Sequence, residues 1–428
     1  MSRGAWGALL TLLLLPLLLL IGSPPANAVD TLCLPGPDKA CIAGTLRTDE
    51  GVLPDVTLTV TDEAGTAQEV TTSETGKWSV QVDKEGAYDI KLDEESLPDG
   101  LVVNTGEVTV QAKFGATVPA LLTVRTADYS ASTSKWDELL QSGVNGLRLG
   151  LLLALASVGL SLIYGTTGLS NFAHAEQVTL GGMLGYTLIN QHGLGLVIGG
   201  ILVVIISAAT GYIQDRGLWQ PLRRRGLGLT QMMIVTIGLS LAMQYIFQMW
   251  VGPRTVRVVQ ANPAVSTFGP VTITHQSLVA MGISIVVLAA VGFALLRTRI
   301  GRATRAVSDN PALASASGID TDKVIRLVWT VAMGLAGLSG LLYALVTNGI
   351  KWDSGMQILL LLFAAVTLGG LGTAFGALVG ALIIGFVVEM SPVFGMPGDF
   401  KYATALLILI LLLLVRPQGL LGKPQRVG

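Results

Sequence analysis

The chain has 428 residues, of which 51% are hydrophobic and only 13% charged, with a formal net charge of −1. That balance points away from a soluble globular domain and towards a polytopic membrane protein. The near-neutral total hides a division: residues 29–138 carry 20 acidic and 8 basic side chains, whereas residues 139–428 carry 8 acidic and 18 basic, so two regions meet two environments.

Residues 1–28 combine Arg3, an apolar run from Leu9 to Ile21 and the small-residue triplet Ala26-Asn27-Ala28, the pattern of a removable secretory signal. The apolar run is shorter than the ~20 residues a spanning helix needs, which makes an uncleaved anchor the weaker alternative. In both cases the chain from Val29 onward starts outside the cell. The two cysteines, Cys33 and Cys41, then lie in an oxidising compartment and are expected to form one local disulfide, a lipid-modified Cys33 being the alternative.

Residues 29–126 read as a small all-β domain. Val56, Leu58 and Val60 alternate with Thr57, Thr59 and Thr61, and Trp78, Val80 and Val82 alternate with Ser79 and Gln81, the period of half-buried strands. Turn signals such as Asp62-Glu63-Ala64-Gly65 and Glu74-Thr75-Gly76-Lys77 suggest an antiparallel sandwich of about seven strands joined mostly by hairpins. The stretches Ile42-Ala43-Gly44-Thr45-Leu46, Gly51-Val52-Leu53-Pro54-Asp55-Val56, Thr75-Gly76-Lys77-Trp78 and Gly86-Ala87-Tyr88-Asp89-Ile90 resemble the carboxypeptidase-regulatory-like β-sandwich, which implies a non-catalytic module. Asp93, Glu94, Glu95 and Asp99 cluster at a turn without the spacing of a calcium loop, so no metal is expected. Residues 127–138 form a linker, with Trp136 where the chain meets the membrane surface.

Residues 139–428 hold nine apolar segments: 139–164, 177–190, 194–213, 231–251, 277–296, 324–347, 357–371, 373–389 and 402–415. This is a multi-pass α-helical membrane domain of about eight or nine helices. The second, seventh and eighth are short and glycine-rich, as tilted, broken or re-entrant helices are. Nine crossings that start outside place 13 Lys and Arg residues on the cytoplasmic side and 5 on the other, in agreement with the positive-inside rule and with the secretory signal. The C-terminus is therefore expected in the cytoplasm. The triplet Arg223-Arg224-Arg225 admits a lipid or nucleic-acid site, but topology retention explains it better.

Three stretches are more specific. Gly159 to Glu176 contains Tyr164-Gly165-Thr166-Thr167-Gly168-Leu169-Ser170-Asn171-Phe172-Ala173-His174-Ala175-Glu176. A polar interruption from Arg297 to Lys323 contains Gly301-Arg302-Ala303-Thr304-Arg305 and Ala312-Leu313-Ala314-Ser315-Ala316-Ser317-Gly318-Ile319, and the chain ends on Arg416-Pro417-Gln418-Gly419-Leu420-Leu421-Gly422. In content and order these resemble the branched-chain amino acid permeases of bacterial ABC importers; Ala175 stands where that family usually has glycine. The resemblance implies a transmembrane permease of the bacterial cytoplasmic membrane. It also implies three kinds of protein partner: ABC ATPase subunits, a second permease subunit and an extracytoplasmic substrate-binding protein. Substrates would be leucine-type amino acids or a related small amide such as urea.

Asn171, His174 and Glu176 fall at a break between apolar helices, where their desolvation demands partners or water. They are candidates for the substrate path, helix capping being the plainer alternative. In the 297–323 loop, Arg302, Arg305, Asp309, Ala314, Gly318 and Ile319 are the candidate coupling residues, because the family docks a short helix followed by Gly-Ile on its ATPase. Asp309 and Pro311 are the expected start signals of that helix, and an ordinary basic retention loop is the alternative. No phosphate-cradling glycine loop, hydrolase elbow or paired-histidine zinc motif occurs, so neither cofactor nor enzymatic activity is expected and ATP must be used by another subunit. The competing class is an ion-coupled carrier or channel, which needs buried charges in the spans; Glu389 is the candidate from sequence.

Overall fold

The structure, a computed structural model, describes residues 33–422 except 34–35, 37, 47, 49–50, 63–64, 99, 116, 121, 127–133, 261–263 and 416–417. The signal segment, most of the linker and the Arg416-Pro417 step lie outside the described residues. The chain divides into two compact units, one of Ser23–Thr133 and one that includes Ser134–Gly428.

The first unit has nine strands: β1 (Ala40–Thr45), β2 (Thr57–Asp62), β3 (Ala67–Thr71), β4 (Lys77–Val82), β5 (Gly86–Leu92), β6 (Leu101–Thr105), β7 (Glu107–Ala112), β8 (Thr117–Pro119) and β9 (Thr123–Thr126). They form sheets of order β4-β1-β8 and β3-β2-β5-β7, with β6 paired to β9. The alternation holds, since Leu58, Val60, Trp78, Val80 and Val82 are all buried in one core with Ile42 and Ile90. The expected hairpins do not. Only β2 and β3 pair as chain neighbours, and β1 runs parallel to β8. Successive strands pass between sheets because each must bury one apolar face against the other layer. Cys33 and Cys41 are bonded to each other, their Cα atoms 6.0 Å apart.

In the second unit the helices are α1 (Lys135–Thr167), α2 (His174–Gly185), α3 (Leu196–Gln214), α4 (Gln220–Arg224), α5 (Leu229–Val251), α6 (His275–Arg297), α7 (Arg299–Asp309), α8 (Pro311–Ala316), α9 (Thr321–Val346), α10 (Ser354–Gly369), α11 (Ala374–Met390) and α12 (Lys401–Val415). A π-turn, Asp215–Trp219, joins α3 to α4. Helix α1 begins four residues before the end of the expected linker, because the Ser134 hydroxyl accepts from the Trp136 N–H and caps it. Among the described residues six helices are long and apolar enough to cross a membrane, and α10 and the apolar part of α12 are shorter. Each of the nine apolar segments is helical.

Burial separates these helices into two groups. The most apolar windows of α1 and α9 are 78% and 72% buried, whereas those of α3, α5 and α6 are 22%, 28% and 17% buried. The first two form the centre and the other three present apolar faces outward. Helices α2 and α9 cross almost in backbone contact: a Cβ at Gly340 would run into the Val178 carbonyl, and one at Gly181 into the Gly337 carbonyl. Where no hydrophobic effect drives helices together, such close approach supplies the packing energy. Gly340→Ala should therefore overpack the crossing at a cost of about 1–3 kcal/mol and lower the melting temperature in detergent. Gly238→Ala in α5, whose added methyl meets nothing within 4 Å, should leave it unchanged; the pair is compared by fluorescence-detected thermal unfolding.

Candidate functional site

The break between α1 and α2 is built by hydrogen bonds within the chain. Gly168 stops α1 in a left-handed conformation (φ 69°) and donates its N–H to the Tyr164 carbonyl at 2.7 Å. The Asn171 side-chain oxygen accepts from the Ala173 N–H at 3.1 Å, and its carbonyl accepts from the His174 N–H at 3.2 Å. Asn171 thus turns the chain into α2. Its amide nitrogen has no partner.

Helix α2 is buried throughout its first turns and carries polar side chains on several sides. His174 Nε2 lies 2.9 Å from the Ala156 carbonyl of α1; that acceptor places the proton on Nε2 and leaves Nδ1 as an unpartnered acceptor. Glu176, two residues on, faces α5 instead: its Oε1 accepts from the Ser240 hydroxyl at 3.3 Å, and Thr179 of its own helix is a second hydroxyl neighbour. The three sequence candidates are therefore all buried, but His174 and Glu176 point to different helices. What the structure adds is a polar seam between α2 and α5. The Phe172 N–H donates to the Thr236 hydroxyl at 3.2 Å, Glu176 meets Ser240, and Gln177 contacts Met243 at 3.7 Å while accepting from Thr210 of α3 at 2.9 Å. Thr236, Ser240 and Met243 repeat at helical spacing, which was the available signal for this seam.

In the loop after α6, Thr298 caps α7 by accepting from the Gly301 N–H at 3.1 Å. The start of α8 corrects the expectation for Asp309: that residue ends α7, and Asn310 caps α8 by accepting from the Leu313 N–H at 2.9 Å. The residue before a proline favours extended backbone, and Asn310 adopts it (φ −158°, ψ 99°). Gly318 closes α8 with φ 87°, and the Ile319 N–H donates to the Ala314 carbonyl at 3.0 Å. Ala314 is buried and Ile319 half-buried in a cluster with Val307, Ile325 and Val328. Arg302, Arg305, Asp309 and Gly318 are exposed. So is Leu313, at 67%, a large apolar residue on α8 that the candidate set left out. Arg305 and Asp309 also line a cleft of about 220 Å³ against Gly165, Thr166 and Thr373.

A second feature has no counterpart among the sequence candidates. Asp215, fully buried in the π-turn, pairs with Arg223 at 2.7 Å and Arg326 of α9 at 3.6 Å, and Arg224 pairs with Asp322 at 2.9 Å. Trp219 and Trp329 stack beside them, ring centroids 5.2 Å apart. Glu389, the buried charge expected from sequence, is only half-buried; Glu176 and Asp215 are the buried carboxylates.

Residues 142–415 match the model of the branched-chain amino acid transport system / permease component family. The chain belongs to that family. The high-affinity branched-chain amino acid transport system permease protein LivH of Escherichia coli K12 is 30% identical over 305 residues, which are 67% of this chain and 96% of LivH. BraD of Pseudomonas aeruginosa is 30% identical over 304 residues, with the same two shares, and the probable LivH of Methanocaldococcus jannaschii is 31% identical over 287 residues, 63% of this chain and 89% of that protein. The permease is a multi-pass membrane protein of a transport family, and the matched region leaves the β unit outside it.

Removing the Asp215 carboxylate would take the ion-pair partner from Arg326 and leave Arg223 only Asp322 at 4.0 Å, on side chains just 16% and 18% exposed. Asp215→Ala should cost the permease about 3–5 kcal/mol, read as a lower melting temperature and reduced yield of folded protein, with Asp215→Glu losing less.

Proposed function

We propose that the permease imports branched-chain amino acids as one subunit of a binding-protein-dependent ABC importer. The family match across the membrane unit carries this reading, and the absence of a nucleotide-binding motif from the sequence is consistent with separate ATPase subunits. A second permease subunit completes the membrane part. In this reading the C-terminus and α7–α8 lie in the cytoplasm of a bacterial cell and the β unit outside, which the excess of Lys and Arg in those loops supports.

Substrate passes along the seam of α2 and α5. Its support is chemical: the seam sets a carboxylate, a carboxamide and hydroxyls inside apolar helices, and such groups are costly in a bilayer unless they serve a polar ligand. Helix α8 docks on the ATPase through Leu313 and the exposed turn at Gly318, while Ala314 and Ile319 hold that helix to the membrane unit.

Leu313→Asp tests the docking surface without straining the fold, because the side chain is exposed and the backbone helical. It should abolish co-purification of the ATPase and uptake, with an unchanged melting temperature. Gly318→Asp should do the same but also strain a backbone at φ 87°. Retained ATPase binding and uptake in Leu313→Asp would leave the loop a topology signal only. For the substrate, titration of the cognate external binding protein should give saturable binding of leucine and none of urea; the reverse preference would assign the permease to amides.

A further inference from the structure

The charge network around Asp215 borders a cleft of about 380 Å³ lined by Arg216, Gln220, Pro221, Arg224 and Arg326. Transport by the α2–α5 seam makes no use of it. Three arginines, Arg223, Arg224 and Arg326, share two carboxylates, Asp215 and Asp322, and Arg216 adds a fourth guanidinium beside them. Two positive charges are left over. Arg216 belongs to no ion pair among the described residues, and its exposed guanidinium stands at the cleft. Arg326 is held in place at the same cleft: its Nη2 donates to Gln220 Oε1 at 2.8 Å, its guanidinium carbon lies 5.6 Å from the centre of the Tyr212 ring, and its Nε faces Asp215 Oδ2 at 3.6 Å. The cleft thus sets one guanidinium held by its neighbours and one exposed guanidinium beside a space that can take an anion.

An apolar track leads to it. Ile198, Ile201, Ile205, Ala209, Tyr212 and Arg216 are all exposed, and their spacing puts them on one stripe of α3 and its continuation. The stripe faces outward from the bundle, where this multi-pass protein meets lipid. From Ile198 to Arg216 the rise is about 27 Å at 1.5 Å per residue, close to the ~30 Å of bilayer hydrocarbon. Arg216 therefore sits at the depth of the headgroups when the isoleucines sit among the acyl chains.

The geometry points to a binding site for the phosphodiester headgroup of an anionic phospholipid, held between Arg216, Arg224 and Arg326, with an acyl chain lying along the Ile198–Tyr212 stripe. Guanidinium forks match the paired oxygens of a phosphate, and basic pockets beside membrane helices suit anionic lipid heads. A free phosphate would use the same arginines but would gain nothing from the stripe. Simple topology retention needs only positive charge at Arg216, whereas this site needs the planar fork.

The test uses the full-length permease, delipidated in detergent and supplied with phosphatidylglycerol, phosphatidylcholine or inorganic phosphate. Phosphatidylglycerol should raise the melting temperature above that with phosphatidylcholine, and native mass spectrometry should retain the phosphatidylglycerol adduct. Arg216→Gln, which breaks no ion pair, should lose both while unfolding in phosphatidylcholine like the wild type; Arg216→Lys should keep the topology and lose most of the retained lipid. Equal stabilisation by the two lipids, or an unchanged phosphatidylglycerol effect in Arg216→Gln, overturns the site. A shift given equally by inorganic phosphate overturns the lipid assignment in favour of a soluble anion. Lipid-independent protection of this surface only by the ATPase would assign it to that partner. The readout is binding, so it stands apart from the question of what the permease transports.

Discussion

The close crossing of α2 and α9 is the constraint on which the membrane unit depends. In water, two apolar helices are pressed together by solvent; in lipid they are not, and the attraction must come from backbone contact. Gly181, Gly337 and Gly340 permit that contact. Hydrogen bonds then tie the centre to its surroundings: Ser339 of α9 donates to the Leu152 carbonyl of α1 at 2.7 Å, and the Gly355 N–H of α10 donates to the Thr179 hydroxyl of α2 at 2.7 Å. A helix of 12 residues, even continued by the π-turns of Tyr186–Gln191, is too short to hold its place by its own span. It is held by what surrounds it.

That placement gives the polar side chains of α2 their character. Glu176, Gln177 and His174 are fully buried, and each retains or shares a hydrogen bond to a different helix. The buried residues of α5 are Met232, Thr236, Ser240 and Phe247, so an otherwise outward-facing helix turns its hydroxyls towards α2. A structural helix contact in lipid needs small residues more than it needs a buried carboxylate. It is on this composition, and on the position of α8 in the α6–α9 connection, that the proposed substrate route and the proposed docking helix rest.

How much of this could be read from the residues depends on how local the cause is. The nine apolar runs predict nine helices because hydropathy is a property of the segment alone, and the three motifs in order point to the family for the same reason. The alternating strands around Leu58 and Trp78 are local too. Strand partners are not: the parallel pairing of β1 with β8 joins residues far apart in sequence, so the hairpin expectation failed. In the 297–323 loop the error was one residue, because Asp309 and Asn310 are both good caps and only the backbone restriction before Pro311 distinguishes them. The buried charges were misassigned for a different reason. Glu389 lies in an apolar run and Asp215 at the edge of one, yet burial is decided by which helix packs over each, and Arg223 and Arg326 compensate Asp215 from 8 and 111 positions away.

If the α2–α5 seam is the route of the substrate, its interior must open to water during the transport cycle. The two native cysteines are bonded to each other, so a Ser240→Cys variant would carry a single reactive thiol in the seam. The direct measurement is the rate at which a small membrane-impermeant thiol reagent modifies that position in proteoliposomes containing the assembled transporter. Modification should accelerate when ATP and the loaded binding protein drive the cycle, slow again with excess leucine, and remain absent from a Val286→Cys control on the outward, apolar face of α6, where Val286 is exposed. Labelling of the Ser240→Cys variant that never rises above that control during turnover would contradict the account.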